Sequence, residues 1–222
     1  MTCCSHATDV ENLPTLRVGL IIFPPFVQQN IGSECVGSTV DNINEIFPPS
    51  DYKVVMYCAS PARIYRDLEL NRIDLTINIK STKSLSKFVE YSMEPHRILE
   101  VMLYSNTQMN SKTVSAINKF EYHGMRKRLA SNGYTFIDYS NIKESLTVFL
   151  RGATTHLLSY RHPFDHYLKE NMSQRAFKQL AVDFTEVSLT EVPTYYSVNK
   201  RTINAPEIVT RINAFHQQRD TK

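Results

Sequence analysis

Glycine is scarce and tryptophan is missing: 222 residues contain six glycines and no tryptophan. No G-x-G-x-x-G fingerprint, complete Walker loop or G-x-S-x-G elbow occurs, which excludes the dinucleotide, P-loop and nucleophile-elbow chemistries that depend on glycine. The four cysteines (Cys3, Cys4, Cys35 and Cys58) form no C-x-x-C pair, and no Cys/His set has zinc-site spacing. No apolar run approaches the ~20 residues a helix needs to span a bilayer. A dominant charge is also lacking. Twenty-five Lys+Arg against 22 Asp+Glu give +3, too balanced to indicate a nucleic-acid partner. What remains, 42% hydrophobic and 21% charged residues, is the composition of a globular chain of one or two domains with a real core.

From Pro14 onward strand and helix signals alternate. Leu16 to Phe23 is a short apolar, β-branched run stopped by Pro24-Pro25, the pattern of a buried strand. After Ser38-Thr39, Val40, Ile43, Ile46 and Phe47 follow at helical spacing until Pro48-Pro49. Residues 52–58 read as a second strand, and Ser60-Pro61 supplies a capping hydroxyl and an N1 proline for a helix over 62–71. Residues 74–80 read as a third strand, and the Ser/Thr-opened stretch 81–90 as a helix. This order is that of a parallel sheet with right-handed crossovers. A strand over 98–105 precedes a second series: helix 124–132, strand 134–139, and a helix opened by the capping box Asn141-x-x-Glu144 and closed by Arg151-Gly152. Strand 153–159, a helix from His162-Pro163, strands 182–189 and 194–199, and a C-terminal helix carrying Ile208, Ile212 and Phe215 complete the pattern. The expected fold class is α/β in two small units. Cys35 precedes the first helix and Cys58 ends the second strand; they either form an extracytoplasmic disulfide or remain two buried thiols.

The order of these motifs resembles the extracellular solute-binding proteins of family 3, which have the type II periplasmic-binding-protein fold. The resemblance runs over roughly residues 13–222. It rests on Pro24-Pro25-Phe26 after the first strand, Gly37 with Asp41, Arg63-Ile64 with Leu68, and Asn71-Arg72-Ile73-Asp74-Leu75. Val89-Glu90-Tyr91-Ser92 before Pro95, Leu150-Arg151-Gly152 and the return strand at 193–200 extend it. The resemblance implies two lobes, 13–104 plus 197–222 and 105–196, each a mainly parallel sheet flanked by helices, joined by two crossover hinge strands. Residues 1–12 would be a disordered leader or signal-peptide remnant, with Ser5-His6-Ala7 fitting a signal-peptidase pattern, and the localisation periplasmic or extracytoplasmic.

In this family a ligand binds between the lobes, where strand ends and helix N-termini favour anions. The implied function is capture of a small polar or anionic solute for an ABC importer or a membrane sensor, by a monomer without cofactor. The alternative is an enzyme, a lyase or hydrolase, or a degenerate structural module on the same fold. The family's amino-acid binders hold the ligand carboxylate with an arginine at a position that is Leu85 here. Lys80, Ser81 and Thr82 offer a hydroxyl-rich replacement, and Phe26 and Tyr57 an aromatic wall at strand ends. Tyr122, His123 and Arg126 at a loop-to-helix junction, with Tyr160 and Arg161 after a strand, complete the expected ligand set; Arg161 is the expected substitute for the missing arginine. His162, Asp165 and His166 share the i, i+4 spacing of H-E-x-x-H but lack its glutamate, so no metal site is expected. Glu34, Asp41, Asp138 and His123 have no spacing that pairs them for acid/base catalysis.

Overall fold

The computed structural model describes residues 13–171 and 183–220. The leader with Cys3 and Cys4, and Val182, lie outside the described residues. β1 (Thr15–Ile21) buries Leu16, Val18 and Leu20. A turn carrying Pro24 and Pro25 leads to a small hairpin, β2 (Gln28–Gln29) and β3 (Cys35–Val36). α1 (Ser38–Ile46) packs Val40, Ile43 and Ile46 inward, and β4 (Lys53–Ala59) then pairs parallel with β1 over its full length. α2 (Pro61–Glu69) returns the chain with Ile64 and Leu68 buried, and β5 (Leu75–Ile79) joins β1 on its other side. The short β6 (Val89–Tyr91) follows.

β7 (Arg97–Asn106) leads into the second series: β8 (Thr113–Ile117), α3 (Met125–Ser131), β9 (Thr135–Tyr139), α4 (Ile142–Leu150), β10 (His156–Tyr160) and α5 (Arg161–Asn171). The capping box at α4 forms as the sequence implies. Asn141 Oδ1 accepts the Glu144 N–H at 2.9 Å, and Glu144 reaches back to the Ser140 N–H at 3.3 Å. β11 (Phe184–Asn199) and α6 (Ala205–Asp220) end the described chain.

Across the sheet the order is β4-β1-β5-β11-β7-β10-β8-β9, with β6 also on β11. Each flank is parallel: β4, β1 and β5 on one side, β10, β8 and β9 on the other. The long strands β7 and β11 run antiparallel between them, from Arg97↔Thr194 to Asn106↔Phe184, with a bulge between Ser188 and Thr190. Leu16, Val18, Ile43, Phe47, Val198 and Ile212 belong to the core of the first flank. The second flank closes around Val101, Val114, Tyr122 and Leu158 on one face and Tyr104, Leu146, Phe149 and Phe164 on the other. The Tyr104 and Phe164 rings stack at 3.7 Å.

Two expectations are corrected. Residues 81–88 form turns and no helix, with i→i+3 bonds such as Leu85 N–H to Thr82 O at 3.0 Å. The hydroxyls compete with the backbone: Thr82 Oγ1 donates to Asn78 Oδ1 and Ser86 Oγ to the Lys83 carbonyl. The strands expected over 182–189 and 194–199 are one strand in the described part, because Pro193 faces Ile98 in the ladder without breaking it.

Two cross-links hold the first flank. Asp74 is buried and accepts from the Arg17 backbone N–H at 2.8 Å, from Arg17 Nε and Nη2 at 2.8 and 2.6 Å, and from Thr202 Oγ1 at 2.9 Å. Burial alone would raise the Asp74 carboxyl, yet the hydrogen bonds from Arg17 and Thr202 outweigh it and hold the group below its ordinary value. Cys35 and Cys58 are joined by a disulfide, with Cα atoms 5.7 Å apart and a sequence separation of 23, which ties β3 to the end of β4.

A carboxyl depressed by folding adds stability above its unfolded value of about 3.9 and loses it as the pH falls through the folded value. Asp74→Asn is expected to lower the unfolding free energy at pH 7 by about 1–3 kcal/mol. The difference from the parent should shrink at pH 3 and below; urea unfolding at both pH values checks it. The paired change Cys35→Ser with Cys58→Ser should cost about 2–4 kcal/mol in the same assay, the usual effect of opening a loop of this length.

Candidate functional site

A cleft lies where the carboxyl ends of β1, β5, β8 and β10 converge from the two flanks. Most of its wall is apolar. Phe23 and Phe26 come from the turn after β1, Phe120 from the turn after β8, and Tyr160 from the end of β10. Phe23 and Tyr160 meet edge to face with centroids 5.2 Å apart. The turn is fixed locally. Phe23 and Val27 exchange backbone hydrogen bonds, and Gly37 packs against the Phe26 carbonyl with φ +120°, where an added Cβ would lie 2.5 Å from that oxygen. The Thr39 N–H also binds the Phe26 carbonyl, at 3.2 Å, so α1 begins against the cleft wall.

Arg97 is the half-buried cation of the cleft wall. It opens β7, and its guanidinium lies over the Phe26 ring at 3.6 Å from the centroid. Nη2 donates to Ser38 Oγ at 3.3 Å, while Nε is buried without a hydrogen-bond partner. No carboxylate lies within ion-pair distance among the described residues. Burial pulls its pKa below the ordinary arginine value. Beside it, His96 Nε2 lies 3.3 Å from Thr39 Oγ1.

The other polar groups of the wall are largely engaged. Asn78 Nδ2 donates to Tyr65 Oη at 3.0 Å, while its Oδ1 accepts from Thr82 Oγ1 and from the Ile79 N–H at 2.8 and 2.9 Å. Burial raises the Tyr65 phenol to about 12. Thr194 Oγ1 donates to the Arg97 carbonyl at 3.0 Å. Lys119 and Glu121 line the exposed mouth.

Of the residues expected from the sequence, Phe26, Thr82 and Tyr160 line this cleft. Lys80, Ser81 and His123 stand outside it: Lys80 Nζ sits over the Tyr195 ring at 3.7 Å, and Ser81 Oγ lies 3.2 Å from His123 Nδ1. That last contact, with Gln28 Nε2 3.1 Å from His166 Nε2 and Phe26 5.0 Å from the His162 ring, brings the two flanks together at the rim. Tyr122 is wholly buried and donates no wall; its Oη accepts the Ile117 N–H at 2.9 Å. Arg126 is occupied by Asp138 at 2.7 Å and by the Ile117 and Phe120 carbonyls. Arg161 is occupied by Glu100 and Glu186, at 2.5 and 3.0 Å, so it stands off the cleft as a paired cation. Leu85 is 1% exposed and packs with Ile64, Leu68 and Ile73 in the core, not toward the cleft.

Tyr57 belongs to a second, more open depression, where its hydroxyl donates to Asp67 at 2.9 Å among Arg63, Arg66 and Arg72. Asp67 lies 3.7 and 3.4 Å from Arg63 and Arg72, so that depression is partly neutralised and exposed, and the first cleft is the better-built site. Arg97, His96, Tyr65 and Asn78 were not among the expected residues. Their signals are local: a polar residue inside the apolar strand 74–80, and a cation two residues after Pro95 that opens the apolar strand 98–105. Tyr65→Phe removes the acceptor of Asn78 Nδ2 in a buried network. It should lower the unfolding free energy by about 1–3 kcal/mol in urea titration, with the far-ultraviolet dichroism unchanged.

No family model matches the sequence, and no curated protein matches it. Solved structures do. An ancestral arginine-binding protein bound to arginine matches with a TM-score of 0.75 and 20% identity, over 94% of this chain and 93% of its own. A putative binding component of an ABC transporter from Wolinella succinogenes, complexed with lysine, matches with a TM-score of 0.71 and 20% identity, over 93% of this chain and 90% of its own. A histidine kinase sensor domain with similarity to periplasmic binding proteins gives 0.73 and 15%, over 94% and 92%. At these identities the likeness is one of architecture: the chain has the two-lobed α/β fold of the periplasmic binding proteins.

Proposed function

We propose that this chain is an extracytoplasmic solute-binding protein that captures a small polar or anionic molecule between two lobes and presents the closed form to a membrane permease or sensor protein. The lobes of this reading are residues 13–104 with 197–222, and 105–196. The observation that carries it is the unpaired Arg97 in an apolar cleft walled by both flanks. A cation held there without a counter-ion is a recognition group. The likeness in fold to a transporter component and to a sensor domain supports either receiver. The Cys35–Cys58 disulfide suits an oxidising compartment.

Binding without turnover is the favoured chemistry. The carboxylate among the lining residues is Glu121, which is exposed at the mouth and forms no ion pair among the described residues.

Scattering and thermal unfolding across a panel of metabolites test the reading. A true ligand at about 100 times its Kd should stabilise the fold by about 2.7 kcal/mol and raise Tm, since it binds only the folded state. The same ligand should reduce the radius of gyration as the lobes close. A panel that moves neither quantity counts against solute capture, and conversion of a bound compound to product would favour an enzyme.

A further inference from the structure

Three features of the cleft define what fits it. The first is the state of Arg97. Its face is covered by Phe26, and stacking on the face does not use the in-plane N–H groups. Nε is buried without a partner, Nη2 has only the 3.3 Å bond to Ser38 Oγ, and no carboxylate pairs with the group among the described residues. An edge of planar donors of this kind matches a carboxylate in bidentate geometry. The second feature is the wall beyond that edge, which is aromatic and aliphatic: Phe23, Phe120, Tyr160, Ile77 and Leu99. The third is a shortage of groups that would receive a ligand ammonium. Asn78 Oδ1 already accepts two hydrogen bonds, and Glu121, the carboxylate of the lining, lies exposed at the mouth and away from Arg97 in sequence and ion pairing. An α-ammonium placed near Arg97 would therefore be a desolvated like charge.

We propose that the solute is a monocarboxylate with an aromatic or branched apolar body and no α-ammonium group, its carboxylate held by Arg97. This rests on the reading of the cleft as a solute site, and it narrows that reading to a ligand unlike an ordinary amino acid. The anchor is the first residue of a strand that pairs with β11, Arg97 opposite Thr194, so the carboxylate is held at the junction of the flanks and not by the turns after β5.

Calorimetric titration of the full chain with four probes tests the proposal: 3-phenylpropanoate, 3-phenylpropan-1-ol, phenylalanine and arginine. The carboxylate should bind, the alcohol roughly 30-fold or more weakly, as expected when one partner of a desolvated charge pair is removed. Phenylalanine should bind at least about tenfold more weakly than 3-phenylpropanoate. Arg97→Met should reduce 3-phenylpropanoate affinity by roughly 30-fold or more, and Arg97→Lys, which keeps charge and folding but not the planar fork, should weaken it to an intermediate degree. Tighter binding of phenylalanine or arginine than of 3-phenylpropanoate would overturn the proposal and leave solute capture standing. Equal affinity in the parent and both Arg97 variants would overturn it in the same way. If none of the probes binds while the metabolite panel yields another ligand, the ligand class is refuted alone; if the panel is also silent, the solute-binding reading falls with it.

Discussion

The pairing of β7 with β11 joins what would otherwise be two separate parallel sheets. Ten residues of one strand and sixteen of the other form an antiparallel ribbon that continues β5 on one side and β10 on the other. Backbone hydrogen bonds therefore run unbroken from β4 to β9, although the side chains divide into distinct cores on the two flanks. The cleft follows from this arrangement. Parallel strands that enter the ribbon from opposite sides point their carboxyl ends at a common space, where turns carry the variable chemistry. The bulge at Ser188–Thr190 lies within the ribbon, where an extra residue bends and twists a strand.

Charge pairing decides which arginine is available to that space. From sequence Arg161 is the expected carboxylate partner, with Arg126 a further member of the expected ligand set. Yet Arg161 sits between Glu100 and Glu186, and those two carboxylates push its pKa further above the ordinary value. Arg126 is tied to Asp138 and two carbonyls. Arg97 has a ring and a hydroxyl instead. Desolvation without a counter-charge is costly for a protein to maintain, and such groups concentrate where ligands bind.

Much of the fold was legible because its elements are short and locally marked. Proline stops after β1 and α1, the Asn141–Glu144 capping box and the Ser60-Pro61 helix start all fall at real boundaries. The stretch 81–90 misled because its helix signals are hydroxyls, and hydroxyls satisfied by side chains and carbonyls nearby favour turns equally well. The site was legible in part. Phe26, Thr82 and Tyr160 stand at strand ends or in the turns that follow, as the topology demands. Arg97 was harder to read because its role depends on which acids come near it, a matter of tertiary placement. Spacing in sequence does not reveal that Glu100, three residues away, turns to Arg161.

Leu85 has a bearing on how freely this cleft can be redesigned. Its side chain is packed into one core cluster with Ala59, Ile64, Leu68, Ile73 and Val89. An arginine restored at that position would have to place a cation among aliphatic groups or drag the 81–88 turns outward. The specificity of the cleft is thus coupled to the integrity of the core beneath it. A change of ligand class at this position requires the backbone of the segment to be rebuilt along with the residue.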